Sequence, residues 1–342
     1  MSRSVSIRDI AAAAGVSHTT VSRALHNSRL ISPDVREHIQ LLAQEMGYIP
    51  NAVAQSLKNK RTKSIGVVVT AIADPFLSRV VRGIEDVAQR AGYSVLLSTT
   101  YNDPGREVAV VETLHQRRVD GIIVASSRYG IDSTNRLAQV NVPVVMINRE
   151  ADTEFTQLYS VSVDDYQGAC TMVQHLLAAG HCAVAYLGAA SRPRSNRLRM
   201  QGYQDAMRAA GIEPRPQWIQ IAPSEHRYHS DDIEAGRAML AGTLSAGTTA
   251  VFCYNDMIAI GFMMGCREAG VPIPGRMSVA GFDDIELAQY VNPPLTTVHQ
   301  PKMRLGELAM EMLLNLMAGK QAEASVMLPT ELVLRASAAG PP

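Results

Sequence analysis

The sequence predicts an α/β chain: a small three-helix head, then a body of two doubly wound parallel-sheet subdomains. Three observations carry this reading. Residues 6–25, SIRDIAAAAGVSHTTVSRAL, have the pattern of two short helices joined by a tight turn. From residue 64 onward, near-continuous apolar runs alternate with helical stretches, the pattern of parallel strands covered on both faces. Those runs fall into two sets of similar size, at 65–69, 94–98, 121–125 and 142–147, then at 183–187, 218–221, 250–253 and 278–281.

Ser6 and Asp9 have capping-box spacing at the start of the first helix, where Ile7, Ile10 and Ala14 share a face. Gly15 breaks that helix, and Val16 plugs the turn. Ser17 caps a second helix that buries Val21, Ala24 and Leu25. Ser32-Pro33-Asp34 opens a third, with Val35, Ile39, Leu42 and Met46 facing inward and Gly47 ending it. Pro50 prevents continuation. Asn51 can cap a short helix to about Lys58, whose tail carries Lys58, Lys60, Arg61 and Lys63. The resulting division is a head at 1–49, a hinge helix and linker at 50–63, and a body at 64–335. Within the body, a first subdomain takes about 64–160 and 293–320, and a second about 161–292 and 321–335. Crossings between them fall at 160–164, 292–297 and 323–328, and the final ASAAGPP reads as a frayed tail.

Across 342 residues the formal net charge is zero, yet residues 1–61 hold eight Lys/Arg against four Asp/Glu. A basic head on a slightly acidic body fits phosphate binding at one end. The four cysteines are widely spaced, without CxxC or a Cys/His cluster, so no metal site is expected. No apolar signal core and no membrane-length apolar run occurs, which places the chain in the cytoplasm and away from membranes. No nucleophile–base–orienter set, P-loop or HExxH is present, so neither an enzyme nor a cofactor is expected. Asp164 and Asp165, read on extended chain, point to opposite faces and make no carboxylate pair.

The second helix exposes Ser17, His18, Thr19 and Ser22, with Arg23 one turn later. Such residues suit base edges and phosphates in a major groove. Leu57, beside positive charge, has the character of a minor-groove wedge. With IRDIAAAAGVSHTTVSRALHN and YIPNAVAQSL in the head, the chain resembles the LacI/GalR family of bacterial transcriptional regulators. The body resembles it through DPFLSRVVRGIE, DGIIV, NRLRMQGY, CYNDMIAIG, AGFDDIELAQY and PPLTTVHQP. The resemblance implies a helix-turn-helix head and a periplasmic-binding-protein-like body with an effector in the cleft between its subdomains. It also implies homodimers or tetramers on double-stranded, pseudo-palindromic operator DNA; no heptad-patterned extension is visible, which favours the homodimer. His18 and Thr19 sit at base-contacting positions, with Arg23 behind them. Ser6, Ser17, Thr20, Ser22, Tyr48 and Asn51 match phosphate-contacting or hinge positions, and Leu57 the wedge.

Ligands of open parallel sheets lie beyond the carboxyl ends of the strands. Those ends carry Asp74 and Phe76, Ser126 and Ser127, Asn148 and Arg149, Asn255 and Asp256, and Asp283. Arg197 and Arg199 precede a helix beginning near Met200. Carboxylates, arginines and an amide suit a polyhydroxylated ligand, with Phe76 covering an apolar ring face. Phe76, Ser126, Arg149, Arg199, Asn255 and Asp283 form the candidate effector set, and Arg199, Asn255 and Asp283 match the family's contacts most directly. Tyr228 or His229, in the loop PSEHRYHSDD, could add a cleft aromatic; the loop reads as solvated rather than metal-binding. The chain thus reads as an effector-responsive repressor sensing a sugar or sugar derivative. A purine-type corepressor is the alternative, and a solute-binding protein a more distant one.

Overall fold

A computed structural model describes residues 5–48, 61–101, 103–125, 142–148, 159–190, 193–223 and 229–342. The chain forms two compact units, Met1–Thr62 and Lys63–Pro342.

The head contains α1 (Ile7–Ala14), α2 (His18–Leu25) and α3 (Pro33–Glu45). The capping box forms at Ser6, whose amide and hydroxyl donate to the Asp9 carboxylate at 2.8 and 2.7 Å. Gly15 takes φ +65°, a left-handed turn that costs glycine little. Ser17 caps α2 by accepting the Thr20 amide at 3.1 Å. The core is Ile10, Ala11, Val21, Ala24, Ile39 and Ala43. Val35, expected on the inner face of α3, is instead exposed at 39%: it shares the stripe of Ile39 and Ala43 but lies in the first turn, one turn before the buried stretch begins.

In the body, the first sheet joins β1 (Ser64–Val69), β2 (Ser94–Thr99), β3 (Gly121–Ala125), β4 (Val144–Ile147), β5 (Tyr159–Val163) and β11 (Ser325–Leu328). Their order is β11-β5-β4-β3-β1-β2, all parallel. Alternate residues serve opposite faces. Ile65, Val67, Val69 and Ile123 pack with α4 (Pro75–Arg90) and α11 (Lys302–Met317), while Val68, Ile122 and Val124 pack with α5 (Pro104–Gln116).

The second sheet has the order β7-β6-β8-β9, again parallel. It comprises β6 (Val184–Ala189), β7 (Ile219–Ala222), β8 (Ala250–Cys253) and β9 (Ser278–Ala280). Helices α6 (Asp165–Ala178), α7 (Pro193–Ala209), α8 (His229–Ala238), α9 (Leu240–Ser245) and α10 (Asp256–Glu268) complete this subdomain. An antiparallel ribbon of β10 (Thr297–His299) and β12 (Glu331–Val333) continues it, tied on by the Ala280–Thr296 bridge. Among the described residues no helix is long and apolar enough to cross a membrane.

Three sequence expectations change. Residues 325–328 pair with β5 and so belong to the first sheet, whereas the sequence pattern assigns 321–335 to the second subdomain. Residues 297–299 lie with the second sheet, whereas the pattern assigns 293–320 to the first subdomain. Short crossing strands carry too little sequence pattern to show which sheet edge they will join. The tail is not frayed: Ser337 is fully buried, donates to the Val279 carbonyl at 2.6 Å and accepts the Thr296 amide at 2.8 Å.

Helix pairs meet at glycines. A Cβ on Gly261 of α10 would collide with the Ile233 carbonyl of α8, and one on Gly236 with that of Ile258. Both obstacles are backbone, so neither rotates away. Gly261→Ala is expected to cost about 3 kcal/mol, read as a lower denaturant midpoint at unchanged slope.

His181, 1% exposed, fastens the tail. Its Nδ1 meets the Thr249 hydroxyl at 2.8 Å and its Nε2 meets the Ala339 carbonyl at 2.7 Å. Burial lowers its pKa from 6.5; the Ala339 carbonyl opposes this and His175 reinforces it. Below 6.5 the unfolded chain accepts a proton that the folded chain resists. Stability is therefore intact above 6.5 and declines as pH falls through the lower folded-state value. Trp218, the sole tryptophan, is buried in this subdomain. Its fluorescence melt should drop on acidification below 6.5, and His181→Asn should flatten that slope.

Candidate functional site

Two sites emerge, one in each unit. In the head, α2 turns Val21 and Ala24 inward, which leaves His18, Thr19 and Arg23 exposed on the outside. Thr20 and Ser22 are half-buried. The hydroxyls of Ser6 and Ser17 are engaged in capping, and Thr20 Oγ1 lies 2.9 Å from Ser17 Oγ. Gln40 of α3 holds the far end of α2, donating to the Ala24 carbonyl at 3.2 Å and to Asn27 at 2.9 Å. The reading helix is thus fixed at both ends with its polar face outward. Tyr48 packs on the head core. Asn51 and Leu57 lie outside the described residues.

In the body, the loop after β1 and the loop after β9 come together. Arg79, on the first turns of α4, pairs with Glu286 at 2.6 Å. The carboxyl ends of both sheets therefore border one cleft. At its crossover side a cavity of about 660 Å³ is lined by Arg79, Asp284, Glu286, His299 and Lys302.

The second subdomain's wall is a buried ionic cluster. Arg199 is 3% exposed. Its Nε and one terminal nitrogen lie 2.8 Å from Asp165 Oδ1. The other terminal nitrogen donates to the Tyr254 carbonyl at 2.6 Å and lies 3.4 Å from Asp283 Oδ1. The Phe282 ring sits 3.7 Å and the Tyr254 ring 4.7 Å from the guanidinium carbon. Burial works against the Arg199 charge, but Asp165, Tyr254 and Asp283 outweigh it and raise its pKa. Asp165 also takes Arg194 at 2.9 Å.

Asn255 caps α10 by accepting the Ile258 amide at 2.8 Å, and its Nδ2 donates to Asp232 at 2.8 Å. Asp283 has φ +118° and Asp284 φ +52°, an unusual pair for non-glycine residues. Their surroundings hold them there. Lys302 Nζ donates to the carbonyls of Asp283, Asp284 (2.9 Å) and Gln300 (3.2 Å). Gln300 Nε2 donates to Asp283. Asp256 accepts the Ile285 amide at 2.8 Å and the Thr297 hydroxyl. Burial pushes the Asp256 carboxyl well up, and Asp283 adds to this. Burial also lowers Lys302. For Asp284, hydrogen bonds with His299 and Arg335 overcome burial and bring its carboxyl down to about 2.

The structure therefore unites Arg199, Asn255 and Asp283 on one wall, together with Asp165, Arg194, Gln300 and Lys302, which sequence reasoning misses. Arg194 and Arg199 lie on α7, which begins at Pro193 and not near Met200; Arg197 is exposed on that helix. Asp165 is not on extended chain: it opens α6, and Asp164 caps it. Phe76, expected to cover a ligand ring, packs in the first-sheet core at 6% exposure. Its amide is held by Asp74, the α4 cap, at 2.8 Å. Ser126, Ser127, Arg149 and Tyr228 lie outside the described residues. Among the described residues no cluster of metal-binding side chains occurs.

Residues 6–51 match the family model for bacterial regulatory proteins of the lacI family, and residues 173–338 that for a periplasmic binding protein-like domain. The chain is 34% identical to the HTH-type transcriptional repressor PurR of Photobacterium profundum, over 97% of this chain and 98% of that one. The chain belongs to the lacI family. It is a DNA-binding transcription regulator, with a helix-turn-helix head and a ligand-binding body. Among solved structures of the family, the lac repressor dimer bound to operator and the anti-inducer ONPF superposes with TM-score 0.87 at 28% identity, covering 98% of this chain and 100% of that one. A lacI-family regulator from Enterococcus faecium with bound ribose gives TM-score 0.71 at 29% identity, covering 81% and 98%.

Proposed function

We propose that this lacI-family protein is a repressor that grips a pseudo-palindromic operator as a homodimer and responds to a sugar in the cleft between its subdomains. The observation that carries this reading is the pairing of two features in one chain. An outward polar face on α2, with His18, Thr19 and Arg23, is joined to a body whose strand ends border a polar cleft. The lac repressor dimer on its operator supports the first half, and the regulator with bound ribose supports the second. Closure of the cleft on ligand changes how one subdomain sits on the other, and a ligand with different affinities for the two arrangements shifts their populations. The reading assigns binding and no turnover, in the cytoplasm. Tyr48, Asn51 and Leu57 serve the head–DNA contact, and Ser126 and Arg149 the first-subdomain side of the cleft.

Two measurements test it. Full-length protein should retard the fragment upstream of its own gene in preference to bulk competitor DNA, and one sugar should change that retardation. A thermal-shift screen of sugars and nucleobases identifies the ligand class; protection by nucleobases alone would replace the sugar with a purine. Asp283→Asn, which tolerates the left-handed backbone, should raise the half-maximal effector concentration about tenfold, a loss of about 1.4 kcal/mol. An unchanged dose response would remove Asp283 from the site.

A further inference from the structure

Lys63, the last residue of the linker, enters the body in a conformation that its own side chain disfavours. It is exposed, yet its φ is +54°, in the left-handed region, which a lysine keeps only where its surroundings impose it. Three contacts do so. Its amide donates to Asp120 Oδ2 at 3.0 Å. Its carbonyl accepts the Ser94 amide of β2 at 2.9 Å. Its Nζ lies 4.3 Å from the centre of the buried Tyr93 ring. Asp120 precedes β3, and β2 and β3 flank β1. The amide and the carbonyl of Lys63 thus go to opposite neighbours, and the chain turns there instead of running straight out of the sheet. Asp120 is itself placed by the turn between α5 and β3. Arg118 is left-handed at φ +55°, and the Asp120 amide donates to the Ser64 carbonyl at 2.8 Å. This junction lies at the amino ends of the strands, opposite the cleft. Strand β1, buried from Ile65 to Val69 apart from its glycine's lack of a side chain, runs from one to the other over about 20 Å.

We propose that Asp120 is a positioning residue for operator binding: its carboxylate clamps the chain where the linker leaves the first subdomain and so fixes the point from which each head reaches DNA. The inference rests on the reading of the chain as a dimeric repressor. Two heads occupy two half-sites together only if the chain between them is restricted. A loosened junction lengthens the free chain and lowers the effective concentration of the second head at its half-site. Non-specific binding needs no such spacing, because any run of phosphates serves. The clamping bond is exposed to solvent, so it contributes little to the stability of the body. Charge alone predicts the opposite sign: removing a carboxylate makes the protein less negative and favours DNA.

The test compares full-length wild type, Asp120→Ala and Asp120→Asn on the fragment upstream of the protein's own gene and on competitor DNA of equal length. Melting is followed by circular dichroism. Asp120→Ala should lose about tenfold in affinity for the operator fragment, the scale of restoring backbone freedom to one residue per head. Competitor binding and the melting midpoint should not change. Asp120→Asn keeps an acceptor oxygen and should stay within about twofold of the wild type. Unchanged or tighter operator binding by Asp120→Ala, an equal loss on both DNAs, or Asp120→Asn as weak as Asp120→Ala would overturn the clamp alone. If Asp120→Ala does not fold, hydrogen exchange of the wild type decides. The Lys63 amide should be protected in the operator complex, and exchange at the unprotected rate would overturn the proposal. A wild type with no preference for the operator fragment overturns the repressor reading and the clamp with it.

Discussion

Replacing Asp165 by alanine is expected to cost about 3–5 kcal/mol. Its carboxylate is fully buried and lies between two guanidinium groups at 2.8 and 2.9 Å. Alanine would leave Arg194 and Arg199 buried with one carboxylate, Asp283, at 3.4 Å from Arg199. The desolvation already incurred by both arginines would then go largely uncompensated. The Trp218 melt should fall by on the order of 10 °C. The neighbouring Asp164→Ala is the control, since it removes only a helix cap, worth about 1 kcal/mol. Similar losses for the two variants would show that Asp165 is no more than part of the helix start. The prediction bears on function because the same carboxylate orients Arg199 toward Asp283.

The second large effect is on DNA. In the proposed dimer each half-site receives one head, whose described surface carries Arg8, Arg23, Arg29 and Arg36. With three to five phosphate contacts per head, a dimer makes about six to ten, and operator affinity should fall by about 10³–10⁵ between 50 and 200 mM salt. The measurement is a filter-binding or anisotropy titration on operator at several salt concentrations. Arg23→Ala tests what the residue does. Loss confined to one base position, by about 1–3 kcal/mol, marks base reading. A uniform loss on all sequences with a shallower salt slope marks phosphate contact. A slope near zero for the wild type would contradict the proposed grip on the DNA backbone.

Much of this architecture is visible in the residues themselves. The head is almost wholly local: Ser6 with Asp9, Gly15 at its left-handed turn and Ser17 on Thr20 are decided within a few positions of the chain. Its one departure, Val35, concerns where a helix meets its core, which is not a local property. The parallel sheets are legible because strands buried on both faces leave uninterrupted apolar runs. Residues 160–164 read as a crossing in the sequence, and residues 159–163 form the strand β5 in the structure. Taken as a strand, they would have put Asp165 at a carboxyl end, beside the other cleft residues, by the rule that finds Asp283.

The sequence by itself determined the helix-turn-helix head, the two α/β halves and the loops from which the cleft is built, because caps, glycine turns and apolar periodicity act over short stretches. Tertiary structure alone decided how the charges in that cleft are allotted. Arg199, Asp165, Tyr254 and Asp283 come from four separate segments, and only their packing engages a guanidinium with protein carboxylates before any ligand arrives. The same holds for the chain's end, where Ser337 and Ala339 find Val279 and His181 across the subdomain. Hydrogen-bond partners far apart in sequence leave no periodic trace, since their meeting depends on the whole fold.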